Sequence, residues 1–140
     1  MAAMILISFS VFAVVGFGHF AILSRIAPPI MKSEMSHNMQ HLVLVVAIGI
    51  LHALEAMVYA VTFMVGQDWG LGGFKPDAPQ SLMDIYYFSL VNYTTLGLGD
   101  IYPSGHLRFL AGLESLGGFL LLSCSASYLF TLSKSHLKTD

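Results

Sequence analysis

Thr94-Thr95-Leu96-Gly97-Leu98-Gly99-Asp100, followed by Ile101-Tyr102-Pro103, is the stretch of sequence that decides the fold. Two glycines one residue apart stand behind two threonines and directly before an acid. Glycine adopts backbone dihedral angles that are closed to other residues, so glycines at alternate positions let successive carbonyl oxygens point in one direction. A threonine hydroxyl adds a further oxygen, and the acid places negative charge at the mouth. The pattern is typical of an ion selectivity filter built from backbone carbonyls.

The composition of the whole chain indicates an integral membrane protein. Its 140 residues are 56% hydrophobic and 10% charged, and the mean hydropathy is +0.74, which is too apolar for a soluble domain of this size. A bilayer core about 30 Å thick is crossed by roughly 20 apolar residues of helix. Three segments reach that length, at 4–23, 41–65 and 107–132. The six scattered Lys and Arg and the net charge of −2 exclude nucleic acid as a partner.

Residues 81–93 are too few to span a bilayer and are predicted to form a short helix that enters it partway. Ser81 is a suitable N-cap, and Asp84 stands at the third helical position. The C-terminus of this helix would point at the bilayer centre, where the partial negative charge of the helix dipole favours a dehydrating cation. The non-helical filter is tolerated at that depth only where protein covers it or water lines it.

The basic residues predict the orientation in the membrane. Four of the six Lys and Arg lie either in the connection after the first apolar segment or in the C-terminal tail, namely Arg25, Lys32, Lys134 and Lys138. Only Lys75 and Arg108 lie on the opposite side. Because basic residues concentrate in cytoplasmic loops, the connection and the C-terminus are predicted to be cytoplasmic, and the N-terminus and filter to face outward.

The sequence Tyr87-Phe88-Ser89-Leu90-Val91-Asn92-Tyr93 and the filter stretch after it resemble the pore helix and filter of the tetrameric potassium channel superfamily, whose usual core is Thr-Val-Gly-Tyr-Gly-Asp. The similarity runs from Ser81 onward. The whole chain is similar to small bacterial channels with two pore-forming helices and an extra N-terminal helix. The resemblance implies an all-α membrane protein with three transmembrane helices, a re-entrant pore helix and filter between the second and third, and a homotetramer around a central pore.

This resemblance divides the chain into regions. The N-terminal transmembrane helix takes 1–28, where Pro28 and Pro29 are expected to stop it, and a cytoplasmic loop takes 29–40. The pore domain, 41–132, consists of an outer helix at 41–65, a turret at 66–80, the pore helix at 81–93, the filter at 94–100 and an inner helix at 106–132. A cytoplasmic tail occupies 133–140.

The resemblance also assigns roles to single positions and implies a passive channel rather than an enzyme. The channel is expected to lie in a lipid bilayer, that of a bacterial inner membrane, and to have no cofactor besides the permeant K⁺. K⁺ is held by the carbonyls of Thr95, Leu96, Gly97 and Leu98, with Gly99 closing the outer end and Thr94 and Asp100 in support. The hinge of the inner helix is expected at Gly117 and Gly118. The cavity and lower pore are expected to be lined by Phe119, Leu122, Ala126 and Phe130.

Two positions near the filter depart from the usual pattern of that superfamily. Leu98 replaces the filter tyrosine, which removes a ring and a hydroxyl that brace the filter from behind. Val91 stands where some bacterial members carry a glutamate that bonds the filter aspartate. We therefore expect the hydroxyl of Tyr87 to hold Asp100 instead.

Ionisable residues within the apolar segments are expensive to bury, and His52, Glu55 and Glu114 are among them. His52 and Glu55 stand three residues apart on one helix face, where structural hydrogen bonding between helices is the favoured role. Glu114 has two interpretations. It is either a buried carboxylate partnered by His52 or by hydroxyls near the pore helix, or one member of a ring of four acids that concentrates cations or senses protons.

Two alternatives to a potassium channel stay open. The first is a weakly selective Na⁺ and K⁺ channel of the same fold, because the number of carbonyls and the stiffness of the filter, not the motif letters alone, set selectivity. The second is a haem- or metal-binding membrane protein that uses His19, His41 and His52. No segment repeats arginine at every third position, so no voltage sensor is predicted. Gating is then expected to come from the pore, the lipid, pH or an unidentified partner.

Overall fold

The computed structural model describes residues 1–97 and 99–136 of the chain, and this part consists of four helices and one short strand pairing. The helices are α1 (Ala2–Met31), α2 (His37–Asp68), α3 (Leu82–Tyr93) and α4 (Leu107–His136). The strands β1 (Phe74–Lys75) and β2 (Tyr102–Pro103) pair antiparallel, with Phe74 opposite Pro103 and Lys75 opposite Tyr102.

Helices α1, α2 and α4 are each long and apolar enough to cross a membrane. The shortest of the three apolar spans has 28 residues, or about 42 Å of helix, which exceeds a hydrocarbon core of about 30 Å. Helix α3 has 12 residues and a length of about 18 Å, too short to span. The prediction of three helices of spanning length is therefore confirmed.

The prediction that the proline pair stops the first helix is wrong. Helix α1 contains Pro28 and Pro29 and ends at Met31. Each proline removes one helical N–H donor, which leaves the carbonyls of Ser24 and Arg25 without helical partners. Both of these residues are exposed, so the unpartnered carbonyls are not sealed inside protein. The predicted loop at 29–40 shrinks to 32–36.

The other long helices also extend past the segments marked by apolar sequence. Helix α2 covers His37–Asp68 instead of 41–65, and α4 covers Leu107–His136 instead of 106–132. Hydropathy marks only the part of a helix that suits hydrocarbon. The backbone hydrogen bonds continue the helices into polar sequence at their ends.

Helix α1 lies against α2 and α4, and α3 lies between α2 and α4. The buried residues of α1 follow helical spacing along one face: Met4, Ser8, Val15, His19, Leu23 and Ala27. The opposite face carries exposed apolar side chains such as Leu6, Val14 and Phe17. A helix with one buried face and one exposed apolar face suits a position between protein and lipid.

The turret is tied to the segment that follows the filter. Phe74 is buried in edge-on contact with Phe63 of α2 and Phe88 of α3, at centroid distances of 5.6 and 5.1 Å. A Cβ atom on Gly72 would lie 2.2 Å from the carbonyl oxygen of Ser104, so only glycine permits this approach. The loop predicted as an exposed turret therefore contributes an aromatic side chain to the core.

The end of α3 and the middle of α4 meet at Gly118. A Cβ atom there would lie 1.9 Å from the carbonyl oxygen of Tyr93 and 2.8 Å from its carbonyl carbon. At Gly117 the nearest atoms are side chains, with the Tyr59 hydroxyl at 3.2 Å. Helix α4 runs unbroken through both glycines. Gly118 therefore serves the packing of α3 on α4, and the hinge expected at this pair stays a prediction.

The substitution Gly118→Ala should lower the free energy of unfolding by about 1–3 kcal/mol, because the new methyl group meets backbone atoms and α3 must shift. The matched control is Gly112→Ala in the same helix, where a Cβ meets nothing within 4 Å. That variant should be as stable as the wild type or more so, by up to about 1 kcal/mol. The measurement is chemical unfolding of the protein in detergent micelles. Equal stability of the two variants would show that the α3–α4 approach is loose.

Candidate functional site

The backbone between α3 and β2 takes left-handed φ angles at three of its described residues. The φ angle is +62° at Thr95, +59° at Gly97 and +81° at Gly99, while Leu96 has no positive φ. Alternation of left- and right-handed dihedrals turns successive N–H groups to one side and carbonyl groups to the other. Leu98, the position of the filter tyrosine in the superfamily, lies outside the described residues.

The N–H groups of this segment are used by α3. The N–H of Thr95 donates to the carbonyl of Asn92 at 3.0 Å, and those of Leu96 and Gly97 donate to the carbonyl of Val91 at 2.8 and 3.1 Å. The carbonyls of 94–97 and 99, in contrast, accept no hydrogen bond from any described residue. Residues 94–97, 99 and 100 are exposed in the single chain. A row of unpartnered carbonyl oxygens is thus presented on an open surface.

The N-terminus of α3 is closed by a capping box, and its N-cap is Ser81, as the sequence predicts. The Ser81 hydroxyl accepts from the N–H of Asp84, and the Asp84 carboxylate accepts from the N–H of Ser81 at 2.8 Å. The hydrogen bond from the Ser81 hydroxyl lowers the pKa of the Asp84 carboxyl group. The charged carboxylate at this end also complements the helix dipole.

The side of α3 that faces α4 is held by Glu114. Its side chain has no exposed surface. The Glu114 carboxyl group is in hydrogen-bond contact with the Ser89 hydroxyl and accepts a hydrogen bond from the Asn92 side-chain amide at 2.6 Å. The Ser89 hydroxyl also contacts the carbonyl oxygen of Ala56 on α2 at 2.6 Å. Asn92 also donates to the carbonyl of Ala111 at 3.0 Å, and the Ser115 hydroxyl donates to the carbonyl of Asn92. Glu114 therefore braces α3.

A family model described as "Ion channel" matches residues 41–134. The chain belongs to this ion channel family. The family is that of small channels with two transmembrane helices and a pore loop, within the potassium-channel-like superfamily. The match begins in α2 and ends in α4, so α1 lies outside it. No curated protein and no solved structure matches the chain.

In this ion channel the predicted contact between Tyr87 and Asp100 is not made within the described part of the chain. The two residues line one small cavity together with Val91 and Gly99, but no hydrogen bond joins them. Tyr87 keeps 42% of its surface exposed, because its side chain lies on the open face of α3. The single chain therefore lacks the side-chain brace that we expected at the outer end of the filter.

The residues predicted to line the pore of the channel lie on the outward face of α4 in the single chain. Phe119, Ala126 and Phe130 are exposed, and Leu122 is half-buried. The opposite face of the helix carries the buried Leu121 and other core residues. Phe119, Ala126 and Phe130 are therefore open in the single chain, while Leu122 packs partly against the core.

The three histidines considered for a haem or metal site divide into two groups. His19 and His52 stack with ring centroids 5.2 Å apart, and both contact Glu55. His52 contacts Glu55 and Tyr93 instead of Glu114, the partner considered for it from sequence. His41 contacts Ser133 at 3.0 Å and stands eleven residues before His52, about 16 Å along the helix. A site that combines all three histidines is not formed.

Sequence reasoning missed Ser89 and Asn92 as anchors of the channel's short helix. The sequence Asn92-Tyr93-Thr94 matches a glycosylation pattern by chance, but the Asn92 side chain faces α4. A signal was present, because 89, 92 and 93 are polar positions at helical spacing in an otherwise apolar helix. Polar side chains on one face of a membrane-embedded helix are expected to contact a neighbouring helix.

The substitution Glu114→Ala should lower the free energy of unfolding by about 1–3 kcal/mol, because one N–H of the Asn92 amide loses its buried acceptor, while the Ser89 hydroxyl keeps the carbonyl of Ala56. Glu114→Gln should cost less, since it keeps one carbonyl oxygen. The control is Glu34→Ala, which alters an exposed acid between α1 and α2. The measurement is the free energy of unfolding of the three variants in detergent micelles. The role of Glu114 as a brace would be contradicted if Glu114→Ala and Glu34→Ala were equally stable.

Proposed function

We propose that four copies of this chain form a passive, potassium-selective channel whose filter is Thr95 to Gly99. The observation that carries the proposal is the backbone of the described filter residues, which has positive φ at Thr95, Gly97 and Gly99. The N–H groups of 95–97 bond back to α3, while the carbonyls of 95–97 and 99 accept no hydrogen bond from any described residue. Carbonyl oxygens in such a row can replace the hydration shell of a K⁺ ion. Membership of an ion channel family supports the same conclusion.

The position of α3 supports a re-entrant pore helix. Its length is about 18 Å, it packs between two spanning helices, and its C-terminus leads directly into the filter. The partial negative charge at that C-terminus lies where a dehydrated cation would be held. Non-helical backbone after it is acceptable in a membrane if the backbone lines a water-filled path.

The exposure of the filter supports a tetramer. Leu96 is 63% exposed in the single chain, and one row of carbonyls surrounds an ion on one side only. Four rows complete the coordination of the ion, and closed symmetry is the usual way to bring identical segments together. The exposed Phe119 and Phe130 of α4 would then face the central cavity, with an apolar lower pore that can gate by dewetting.

Charge supports an orientation with the filter outward. Four of the six Lys and Arg lie near the α1–α2 connection or in the C-terminal stretch of the sequence, namely Arg25, Lys32, Lys134 and Lys138. We propose that both are cytoplasmic, that the N-terminus is outside, and that the protein lies in a bacterial inner membrane.

A weakly selective Na⁺ and K⁺ channel of the same fold is the second candidate. It is favoured by the missing hydrogen bond between Tyr87 and Asp100, because a filter without side-chain braces is softer. Filter stiffness is one of the factors held to set selectivity between the two ions.

Reversal potential of the purified protein in a planar bilayer, with K⁺ on one side and Na⁺ on the other, tests the proposal. A potassium channel gives a reversal potential near the K⁺ equilibrium value, and a weakly selective channel gives one near zero. Gly97→Ala should abolish K⁺ current, because alanine at φ +59° costs about 1–2 kcal/mol in each copy.

The matched control is Gly70→Ala in the turret. Gly70 has a similar φ of +68° and also has open space around it, so it shares the backbone strain but not the filter. Unchanged current in Gly97→Ala, or equal loss in both variants, would count against the filter assignment.

The tetramer has its own test. Native mass spectrometry of the protein released from detergent should give the mass of four chains of 15.2 kDa. A monomer or dimer under conditions that preserve current would contradict the proposed assembly.

A further inference from the structure

One buried polar cluster joins all four helices. It consists of His19 on α1, His52 and Glu55 on α2, Tyr93 on α3 and Ser125 on α4, and we call it the buried polar cluster. The exposed fraction of its members ranges from 1% to 8%. It is separate from the filter, although Tyr93 is the last residue of α3.

The Glu55 carboxylate forms the centre of the cluster. Nδ1 of His19 lies 2.9 Å from Oε1, and Nδ1 of His52 lies 2.9 Å from Oε2. The Tyr93 hydroxyl donates to Oε2 at 2.6 Å. An ionised carboxylate accepts hydrogen bonds and donates none, so both Nδ1 atoms must carry hydrogen.

The far sides of the two imidazole rings meet at Ser125. Its Oγ atom lies 3.0 Å from Nε2 of His52 and 3.3 Å from Nε2 of His19. A serine hydroxyl has one hydrogen and can donate to only one of the two rings. The other ring must then donate to Ser125, and that ring carries hydrogen on both nitrogens.

A count of hydrogens fixes the charge of the cluster. Three contacts to Glu55 and two to Ser125 require five hydrogens. The sixth contact, between Nδ1 of His52 and the Tyr93 hydroxyl oxygen at 2.9 Å, shares the hydrogen that Nδ1 donates to Glu55. Two neutral histidines, one tyrosine and one serine supply four. The fifth is an added proton, and its positive charge cancels the negative charge of Glu55. Without it the cluster would hold an uncompensated charge in an apolar interior, which is strongly unfavourable.

A metal ion is the competing way to supply positive charge. The ligand atoms of His19, His52 and Glu55 all lie within 4.8 Å of one another. Tetrahedral Zn²⁺ with ligands at about 2.0–2.1 Å separates the ligand atoms by about 3.3 Å. The observed distances of 2.9 Å between nitrogen and carboxylate oxygen are hydrogen-bond distances instead. The geometry therefore fits a proton better than a metal ion.

We propose that the buried polar cluster is a binding site for one proton, shared by His19 and His52 and balanced by Glu55. The other titratable groups close to it are Tyr59 on α2, whose ring lies 6.4 Å from that of Tyr93, and Glu114 on α4. Because the cluster joins α1 and α3 to α2 and α4, its proton holds the four helices in one arrangement.

Nitrogen-15 NMR of the full chain with labelled histidine, in detergent micelles at neutral pH, tests the proposal. Nitrogen shifts separate an imidazolium from a neutral ring. The expected spectrum shows one imidazolium shared by His19 and His52, which is lost in Glu55→Gln and kept in the control His106→Gln, an exposed position. Two neutral rings in the wild type would overturn the proposal. This wild-type spectrum decides even if Glu55→Gln does not fold.

The metal content of the same preparation, purified without a chelator, separates a proton from a metal. No bound zinc is expected. One zinc ion per chain that disappears in Glu55→Gln would overturn the proton site.

The pH dependence of the unfolding temperature gives a further readout. As pH rises and the proton leaves, the native state retains a buried negative charge that the unfolded chain exposes. The unfolding temperature of the wild type should therefore fall toward alkaline pH, and this fall should be smaller in Glu55→Gln, which has no charge to leave unpaired. Parallel profiles of the two proteins would also overturn the proposal.

Discussion

Hydrogen bonds that hold the short helix α3 between α2 and α4 are the constraint on which the rest of the structure depends. In lipid, apolar contact alone gives little net drive for helices to associate, so polar contacts and close packing must position them. Ser89, Asn92 and Tyr93 provide those contacts, to Glu114 on one side and Glu55 on the other. The N–H groups of residues 95–97 donate to carbonyls in the last turn of α3, so the position of this segment follows from the position of that helix.

The sequence predicts the helices because hydropathy and capping are local properties. It predicts the three spans, and Ser81 as the start of α3. It does not predict which buried groups meet, since Glu55 finds partners 36 and 38 residues away. Helical spacing on α2 identifies only His52 as a partner of Glu55. From the sequence, the candidate partners of Glu114 are His52 and hydroxyls near the pore helix. In the structure the partner is the Ser89 hydroxyl on α3, because α4 crosses α3 closely at Gly118.

Thr95 is a non-glycine residue that the structure holds in a left-handed backbone conformation. A non-glycine residue at a φ of +62° costs about 1–2 kcal/mol, and threonine is β-branched. Glycine would be less strained at this position. In the proposed filter, the Thr95 hydroxyl adds an oxygen at the inner end of the row of carbonyls. The hydrogen bond from its N–H to Asn92 helps to keep the residue in this conformation.

Helix α1 lies outside the range that the ion channel family covers, yet it is tied to the centre of the chain. Within the described residues, His19 makes the hydrogen bonds that connect α1 to the other helices. A shift of α1 by one turn would move this imidazole by about 5 Å, away from Glu55 and Ser125, and leave polar groups unpaired among apolar ones. A single polar residue thus fixes the position of a helix whose other buried residues are mostly apolar. The extra helix is therefore part of the same polar network that positions α3.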